Sequence, residues 1–326
     1  MSKLRAAVIG VGHLGRFHAQ KYAALDDIEL VAVVDNNAEQ AQKVADELGA
    51  EALTDYHQLI GRIDLASIVV PTSLHYKVAG ELLDAGVHLL VEKPITTTVK
   101  QGAELVEKAK QKNLVLQVGH LERFNPVISE LKARADAPIF IESHRLASFK
   151  PRGTDVSVIL DLMIHDIDLI QNIVGQPVQR IDASGGKVVS DHIDIANARI
   201  QFANGCVANV TASRISLKAE RRMRLFQQNT YLAADMGNRV LHVYHKHDAA
   251  SDTYAGIPGV GYERLEFAEA DALMIEIQSF ADAVRNGTTP VVSGEDGVNA
   301  LRTAIEVTRQ LEANPLPGQA GLQLDA

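Results

Sequence analysis

Over the first third of the chain, short apolar runs alternate with amphipathic stretches of helical length. The helical stretches place apolar residues at a 3.6-residue period, with Glu, Lys and Gln on the opposite face. This alternation is typical of βαβ units, which build a parallel sheet covered by helices. We therefore predict a doubly wound α/β domain over residues 1–121. Its predicted strands are 6–9, 29–34, 66–70, 88–91 and 114–118, and its predicted helices include 38–48, 76–83 and 101–109.

The pattern changes after about residue 120. One long helical stretch, 156–174, is followed by closely spaced runs in which apolar and polar residues alternate. Strands joined by short turns such as Ala203-Asn204-Gly205 indicate an antiparallel or mixed sheet. We predict an α+β domain over residues 122–326, built on a large, mostly antiparallel open sheet. Its predicted strands are 180–183, 193–202, 207–213, 223–226 and 231–234, and its later helices are 272–285 and 297–311.

The composition is that of an ordinary globular protein with room for two hydrophobic cores. The 326 residues are 46% hydrophobic and 22% charged, which excludes global disorder. The net charge of −9 disfavours nucleic acid or an anionic membrane as a partner. The single cysteine, Cys206, and the lack of a signal-peptide pattern lead us to expect a cytoplasmic location. Any anionic ligand must then be bound by local groups.

A glycine-rich turn follows the first predicted strand directly and opens a helix. It reads Gly10-Val11-Gly12-His13-Leu14-Gly15. In a dinucleotide-binding turn the first glycine permits the tight turn, the second admits a pyrophosphate, and the third lets the helix pack on the strand. The N–H groups at the helix start then face the phosphates. The expected cofactor contacts in this turn are Gly10, Gly12, His13, Leu14 and Gly15.

An acidic residue, Asp35, ends the second predicted strand, 20 residues after Gly15. A carboxylate at this position accepts hydrogen bonds from the adenosine ribose and repels a 2′-phosphate. The next residue is Asn36, not an arginine that would pair with such a phosphate. The cofactor is therefore expected to be NAD rather than NADP, with Asp35 and Asn36 among its contacts. A helix N-cap role for Asp35 is compatible with this assignment.

Further cofactor contacts are expected where the later strands end, because open α/β sheets bind ligands at their carboxyl edge. Two short polar segments lie there, Pro71 to His75 and Glu92-Lys93-Pro94. The expected contacts are Pro71, Thr72, Ser73, His75, Glu92, Lys93 and Gln117.

With these motifs the chain resembles the Gfo/Idh/MocA oxidoreductases. The resemblance extends from about residue 3 to about residue 312 and also includes an Asp161 and His165 pair in the second domain. It implies an N-terminal Rossmann domain, NAD-dependent oxidation of a CH–OH group, and dimers or tetramers formed through the open sheet of the second domain.

The four-residue spacing of Asp161 and His165, with Asp168 three further on, places all three on one face of a helix. From spacing alone, a general base oriented by a carboxylate and a solvated helix face are both possible. The resemblance implies that Lys93, Asp161 and His165 form the catalytic group. In that assignment His165 is the base, Lys93 bonds the substrate oxygen, and Asp161 orients His165.

A metal site at His165, Asp166 and Asp168 is disfavoured, because the sequence contains no His-x-x-x-His or His-Glu-x-x-His element. Nicotinamide chemistry of this type also needs no metal. We expect none.

Two polar segments are candidates for substrate binding, together with Lys93, Asp161 and His165. The connector at residues 117–126 contains His120, Arg123 and Asn125, for which helix capping and interdomain contacts are the alternative roles. Lys150 and Arg152, on the loop before the His165 helix, are suited to a diphosphate.

Residues 117–126 and 161–168 resemble a narrower branch of the family. That branch oxidises the 3-hydroxyl of UDP-N-acetylglucosamine to a 3-keto sugar, which an aminotransferase converts to a 3-amino sugar for lipid A. A UDP-sugar is therefore the expected substrate. The alternatives are a dehydrogenase of a free polyol or sugar, and a non-catalytic NAD-binding regulator.

Overall fold

A computed structural model describes residues 3–149, 156–246, 253–254 and 257–313. The chain forms two compact units, of which the first comprises residues up to Phe124 and Asp271–Leu301, and the second comprises Asn125–Ala270 and the residues from Arg302 onward. The predicted boundary after residue 121 assigns residues 271–301 to the second domain, whereas they pack on the first. Ile277 and Phe280 belong to the same hydrophobic core as Val8 of the first strand. Helical periodicity predicts an apolar face but not which core covers it.

The first unit contains a six-stranded parallel sheet, which confirms the predicted fold class. In the order β3-β2-β1-β4-β5-β6 every neighbouring pair is parallel. The order reverses between β1 and β4, and such a switch point is where doubly wound sheets bind ligands. The strands are β1 (Leu4–Ile9), β2 (Ile28–Val34), β3 (Glu51–Leu53), β4 (Leu65–Ile68), β5 (His88–Glu92) and β6 (Leu116–Gly119).

Four helices connect these strands. They are α1 (His13–Ala24), α2 (Ala38–Leu48), α3 (Thr72–Asp84) and α4 (Val99–Gln111). The bounds of α2 agree with the prediction because both ends carry sequence signals. The Asn37 side chain accepts hydrogen bonds from the first-turn N–H groups, and Gly49 ends the helix at a φ of 70°. The three-residue strand β3 was not predicted, since so short a segment carries no readable periodicity.

The second unit is built on an eight-stranded sheet in the order β16-β13-β12-β11-β7-β10-β9-β8. Of its paired strands only β7 and β10 run parallel, which confirms the mostly antiparallel sheet. The strands of this unit are β7 (Phe140–Leu146), β8 (Val178–Gly186), β9 (Ile195–Phe202), β10 (Val207–Ser213), β11 (Glu220–Gln227), β12 (Thr230–Asp235), β13 (Val240–Lys246), β14 (Thr253–Tyr254), β15 (Ile257–Pro258) and β16 (Val260–Glu266). The later helices of the chain are α5 (Pro126–Arg134), α6 (Ile164–Val174), α7 (Ala272–Asn286) and α8 (Gly294–Ala313).

Strand β7 lies in the middle of this sheet, although the sequence pattern did not predict it. Its inward positions are Ile141, Ser143 and Arg145, all of them buried. Because two of these inward positions are polar, the segment lacks the alternation of apolar and polar residues that identifies a strand. The burial of Arg145 is explained by an acidic partner on α6, described below.

A row of aromatic side chains crosses the other face of the sheet. Each ring lies directly opposite the next on the neighbouring strand, and the ring centroids are 4.7 to 5.9 Å apart. All five side chains are half-buried. The aromatic row consists of Phe140, Phe226, Tyr231, Tyr244 and Tyr262.

The helices of the described chain are each too short or too polar to cross a lipid bilayer.

Candidate active site

The glycine turn joins β1 to α1, and its three glycines meet different surroundings. Gly10 has a φ of 88°, and a Cβ there would lie 2.6 Å from the Val69 carbonyl oxygen. A Cβ on Gly15 would lie 1.8 Å from the Gly10 carbonyl oxygen. At Gly12, by contrast, a Cβ would meet no described atom within 4 Å. The fold itself therefore requires Gly10 and Gly15, whereas Gly12 leaves an open space of the kind a pyrophosphate needs.

This difference predicts opposite results for two alanine variants. Gly15→Ala lowers the melting temperature of the free protein, because the Cβ overlaps backbone. Gly12→Ala leaves the melting temperature unchanged but weakens NAD binding by about tenfold or more, since its methyl group occupies the pyrophosphate space. Thermal unfolding without ligand and NADH fluorescence titration measure the two effects. Wild-type NADH affinity in a folded Gly12→Ala protein would contradict this assignment.

Asp35 is held at the end of β2, next to the glycine turn. Its Oδ2 accepts a hydrogen bond from the Val11 N–H at 3.0 Å, and its Oδ1 accepts one from the Asn37 N–H at 3.0 Å. The N-cap of α2 is Asn37, so capping does not explain the acid at position 35. Asn36 beside it is exposed, as are His13 and Leu14 at the start of α1.

The imidazole of His75 connects the loops that follow β4 and β5. Its Nε2 lies 2.9 Å from the Val70 carbonyl oxygen and its Nδ1 lies 3.0 Å from the Pro94 carbonyl oxygen. Burial lowers the pKa of His75, so the neutral ring donates one of these two bonds at a time. Since both nitrogens face backbone, the geometry gives His75 the role of holding these loops together. Its contact with the cofactor stays a prediction.

The remaining cofactor candidates differ in accessibility. Pro71 and Ser73 are exposed and Thr72 is half-buried, all at the start of α3. Glu92 and Lys93 are half-buried at the end of β5. Gln117 in β6 is fully buried, and its Nε2 donates to the Glu276 carbonyl oxygen at 3.3 Å. The predicted cofactor residues thus lie at or just beyond the carboxyl ends of the parallel strands, on one edge of the sheet.

In the second unit, Asp161 lies in a π-helical turn, Ile159–Met163, that leads directly into α6. The sequence predicted an uninterrupted α-helix here. A π turn shifts the register of neighbouring side chains and occurs frequently at functional sites. Asp161 and His165 are half-buried on either side of the junction, whereas Asp168 is only 1% exposed. Of the three residues that share the predicted face, only Asp161 and His165 remain accessible.

A buried ion pair anchors the first turn of α6 to the sheet. Arg145 of β7 donates to Asp166 from Nε at 2.7 Å and from Nη2 at 3.2 Å. Both side chains are at least 95% buried, and Asp166 directly follows His165. The ion pair thus fixes the helix that carries the predicted base. Asp166 is also one of the three residues of the alternative metal site, and its carboxylate is bonded to Arg145 instead.

Among the residues that the structure describes, no three His, Cys, Asp or Glu side chains are grouped so as to hold a metal ion.

Asp194, which sequence reasoning did not single out, organises a loop next to the π turn. Its carboxylate accepts the N–H groups of Val188, Val189 and Ser190 at 2.7 to 2.9 Å. Burial alone would raise the pKa of Asp194, but these bonds and one from the Ser190 hydroxyl lower it to about 2. The adjoining Ile193 carbonyl accepts the Val158 N–H at 3.0 Å, which holds the start of the π turn.

Two of the predicted substrate residues, Asn125 and Arg123, contact other parts of the protein. Asn125 caps α5 by accepting the Val127 N–H at 3.1 Å. Arg123 is 8% exposed and lies 3.5 Å from the Asp296 carboxylate. His120 is 1% exposed. These contacts favour the capping and packing roles for Asn125 and Arg123, and substrate binding stays a prediction for all three residues.

Lys150 and Arg152, the predicted diphosphate ligands, lie outside the described residues.

The lone cysteine, Cys206, is buried, and burial raises the pKa of its thiol to about 11. It is therefore not a nucleophile at neutral pH.

The first unit has the architecture of an NAD-binding oxidoreductase domain: a six-stranded parallel sheet, a glycine turn at its switch point and an acid at the end of β2. Comparisons with two family models agree with this assignment. Residues 4–120 match an oxidoreductase family with an NAD-binding Rossmann fold, and residues 133–232 match the GFO/IDH/MocA C-terminal domain. The chain belongs to the Gfo/Idh/MocA oxidoreductase family, and its cofactor is NAD.

Two relatives are similar over almost their full length. The chain is 43% identical to a UDP-N-acetylglucosamine 3-dehydrogenase of Acidithiobacillus ferrooxidans, covering 96% of this chain and 99% of the relative. The solved structure of that enzyme matches with a TM-score of 0.91 over 96% of this chain and 99% of the other. The identity to a scyllo-inositol 2-dehydrogenase (NAD(+)) of Bacillus subtilis is 29%, over 97% and 96% of the two chains.

Proposed function

We propose that the protein oxidises the 3-hydroxyl of UDP-N-acetylglucosamine to a ketone and reduces NAD+ to NADH. The observation that carries this proposal is the 43% identity to a UDP-N-acetylglucosamine 3-dehydrogenase. The sequence identity to an inositol dehydrogenase, over a similar share of the chain, is only 29%. Lys93, Asp161 and His165 supply the groups that alcohol oxidation needs.

Oxidation of a secondary alcohol removes a proton from oxygen and a hydride from carbon. Bound NAD+ supplies the hydride acceptor. In the proposed mechanism His165 takes the hydroxyl proton, and Asp161 orients the imidazole and stabilises its charged form. Lys93 donates a hydrogen bond to the same oxygen and stabilises the negative charge that develops on it.

The substrate is tested by following NADH absorbance with a panel of candidates. The panel contains UDP-N-acetylglucosamine, UDP-glucose, free N-acetylglucosamine, UDP alone, myo-inositol and scyllo-inositol. We expect the highest kcat/KM with UDP-N-acetylglucosamine, and protection from thermal unfolding by UDP alone. Turnover of an inositol without any response to UDP would instead support the second candidate, a polyol dehydrogenase, which the similarity to the inositol enzyme favours.

We further propose that the keto sugar is passed to an aminotransferase, giving a 3-amino sugar for lipid A. A ketone next to the N-acetyl-bearing carbon is a suitable substrate for amination. Oxidation of an alcohol by NAD+ is thermodynamically unfavourable near neutral pH. An enzyme that consumes the ketone therefore shifts the equilibrium toward oxidation. We place the reaction in the cytoplasm, the compartment in which a UDP-sugar and NAD+ meet.

We also propose that the protein is a homo-oligomer, a dimer or a tetramer, assembled through the open face of the second unit's sheet. The aromatic row supports this, because five half-buried rings on neighbouring strands form a continuous apolar surface suited to a second copy of the chain.

A charge placed in the aromatic row tests this assembly. Tyr244→Glu is expected to shift the protein toward the monomer in sedimentation velocity, because association would bury an unpaired carboxylate. Val188→Glu is the matched control, since Val188 is 60% exposed on a loop. Equal sedimentation coefficients for the two variants would contradict the assignment.

A further inference from the structure

A group of polar side chains lies inside the first unit, and one of its members, Glu92, bonds the backbone of Lys93. His18, Ser67, Gln117 and Glu276 are each 0% exposed, and the Glu92 side chain is 13% exposed. The proposed reaction assigns none of them a step. Buried polar groups are costly unless they are satisfied, so this cluster requires an explanation.

A line of hydrogen bonds connects helix α1 to the Lys93 backbone. The Tyr22 hydroxyl lies 2.9 Å from the Ser67 Oγ, which lies 3.2 Å from Nδ1 of His18. Nε2 of His18 is 3.2 Å from Oε1 of Glu92. The other oxygen of Glu92 accepts the backbone N–H of Lys93 at 3.1 Å. The Glu92 carboxylate therefore joins the buried cluster to the main chain from which the Lys93 side chain extends.

The neighbouring strand leaves the Glu92 carboxylate little room to move. A Cβ on Gly119 of β6 would lie 2.8 Å from Oε1 of Glu92. The carboxylate thus packs directly against a glycine backbone, and bonds on two sides fix its orientation. The turn at Glu92-Lys93-Pro94 is also held from the other direction, where His75 contacts the Pro94 carbonyl oxygen.

The second carboxylate of the cluster, Glu276 of α7, is in a different state. Both of its oxygens are buried, and neither has a hydrogen-bond partner within the described part of the chain. Burial, and after it the nearby charge of Glu92, raise the pKa of Glu276 well above its usual range. Burial alone would also raise the pKa of Glu92, but the bond from His18 and the charges of His18 and Lys93 bring it below its ordinary value. The pKa values of the two carboxyl groups are thus shifted in opposite directions, so Glu92 loses its proton at a lower pH than Glu276 does.

We propose that Glu92, His18 and Glu276 form a positioning unit for Lys93, in which Glu92 anchors the Lys93 backbone and the Glu276 carboxyl group lies buried nearby without a hydrogen-bond partner in the described chain. The proposal rests on the assigned role of Lys93 in the reaction. Reacting groups must be held within fractions of an ångström, and a displacement of about 1 Å costs about 100-fold in rate. The anchored turn supplies that constraint for Lys93.

The arrangement makes the site sensitive to alkaline pH. The titratable groups facing the two carboxylates are His18 and Tyr22 from α1, His75 from α3, and Lys93. When Glu276 loses its proton, its negative charge repels the nearby charge of Glu92. The Lys93 turn then loosens, so kcat falls on the alkaline side.

Substitutions at the three members test the proposal in steady-state kinetics. Glu92→Gln and His18→Leu are expected to lower kcat by about 10- to 100-fold, and His18→Leu, which alters no predicted cofactor contact, should change the KM for NAD by less than about threefold. His18→Gln, which keeps an N–H donor toward Glu92, should recover part of the loss in kcat.

Glu276→Gln mimics the protonated acid and should move the alkaline limb of the kcat profile upward by at least about one pH unit. The control is Glu107→Gln, on the exposed surface of α4.

A second measurement does not depend on any substrate. Lysines of the full-length protein are reductively methylated with ¹³C, and the Lys93 resonance is assigned with Lys93→Arg. We expect His18→Leu and Glu92→Gln to shift this resonance, and Glu276→Gln to change its pH titration, whereas Glu107→Gln does neither. An unshifted Lys93 resonance in His18→Leu, together with an unchanged pH titration of this resonance in Glu276→Gln, would overturn the proposal. If no sugar is oxidised the proposed function fails, and the resonance still decides the role of the cluster.

Discussion

Replacing His165 by Asn is expected to lower kcat for the proposed UDP-sugar oxidation by about 1000-fold and to leave the Kd for NAD within about twofold of wild type. Asn retains the size and polarity of the side chain near the backbone but cannot accept the hydroxyl proton at neutral pH. His165 is not among the predicted cofactor contacts, all of which lie in the first unit, so we expect no change in NAD binding. Initial rates of NADH formation and NADH fluorescence titration measure the two quantities.

The control for this experiment is His144→Asn in the same unit. His144 is half-exposed on the open face of the sheet and lies 3.6 to 3.7 Å from the carboxylates of Glu142 and Glu220. We expect wild-type kcat from this variant. If His165→Asn retained more than about a tenth of wild-type kcat, His165 would not be the general base, because general-base catalysis contributes about 100-fold or more.

The largest expected effect on stability follows from replacing Arg145 by Leu. This change leaves the Asp166 carboxylate buried without its bidentate partner, and such uncompensated buried charges cost about 3–5 kcal/mol. The free energy of unfolding of the second unit should fall by this amount in urea titrations followed by circular dichroism. Because Asp166 follows His165, kcat should fall as well.

A surface ion pair provides the comparison for Arg145. Arg309 bonds Glu306 at 2.7 Å, but their side chains are 66% and 36% exposed. Arg309→Leu is expected to change the free energy of unfolding by less than about 1 kcal/mol, because solvent screens exposed pairs. Similar losses in the two variants would show that the buried pair does not anchor α6.

The cofactor site could be predicted from the sequence because its signals are local. The glycine turn, the strand before it and Asp35 lie within about 30 residues, and their spacing reflects the geometry of one βαβ unit. The structure adds the distinct roles of the glycines, since close approach to the Val69 and Gly10 backbone is visible only in three dimensions.

The features that the sequence did not reveal depend on tertiary packing. The periodicity of α7 predicts an apolar face, but its docking on the first unit depends on which core that face fits. Strand β7 carries a buried arginine whose partner is distant in sequence, and this partner makes the polar position tolerable. His18 and Glu276 are remote in sequence from Glu92, so no local spacing joins them. The proposed catalytic roles of Lys93, Asp161 and His165 are predictions from a family resemblance, since an Asp and a His four residues apart are compatible with several roles.

The proposed function requires that hydride leaves C3 of a UDP-linked N-acetylglucosamine, and isotope transfer tests this step most directly. The protein is incubated with NAD+ and UDP-N-acetylglucosamine deuterated at C3, and the NADH formed is analysed by mass spectrometry and NMR. We expect one deuterium at C4 of the nicotinamide ring and none from substrate deuterated at C4 of the sugar. NADH without deuterium from the C3-labelled sugar, or with deuterium from the C4-labelled sugar, would contradict it.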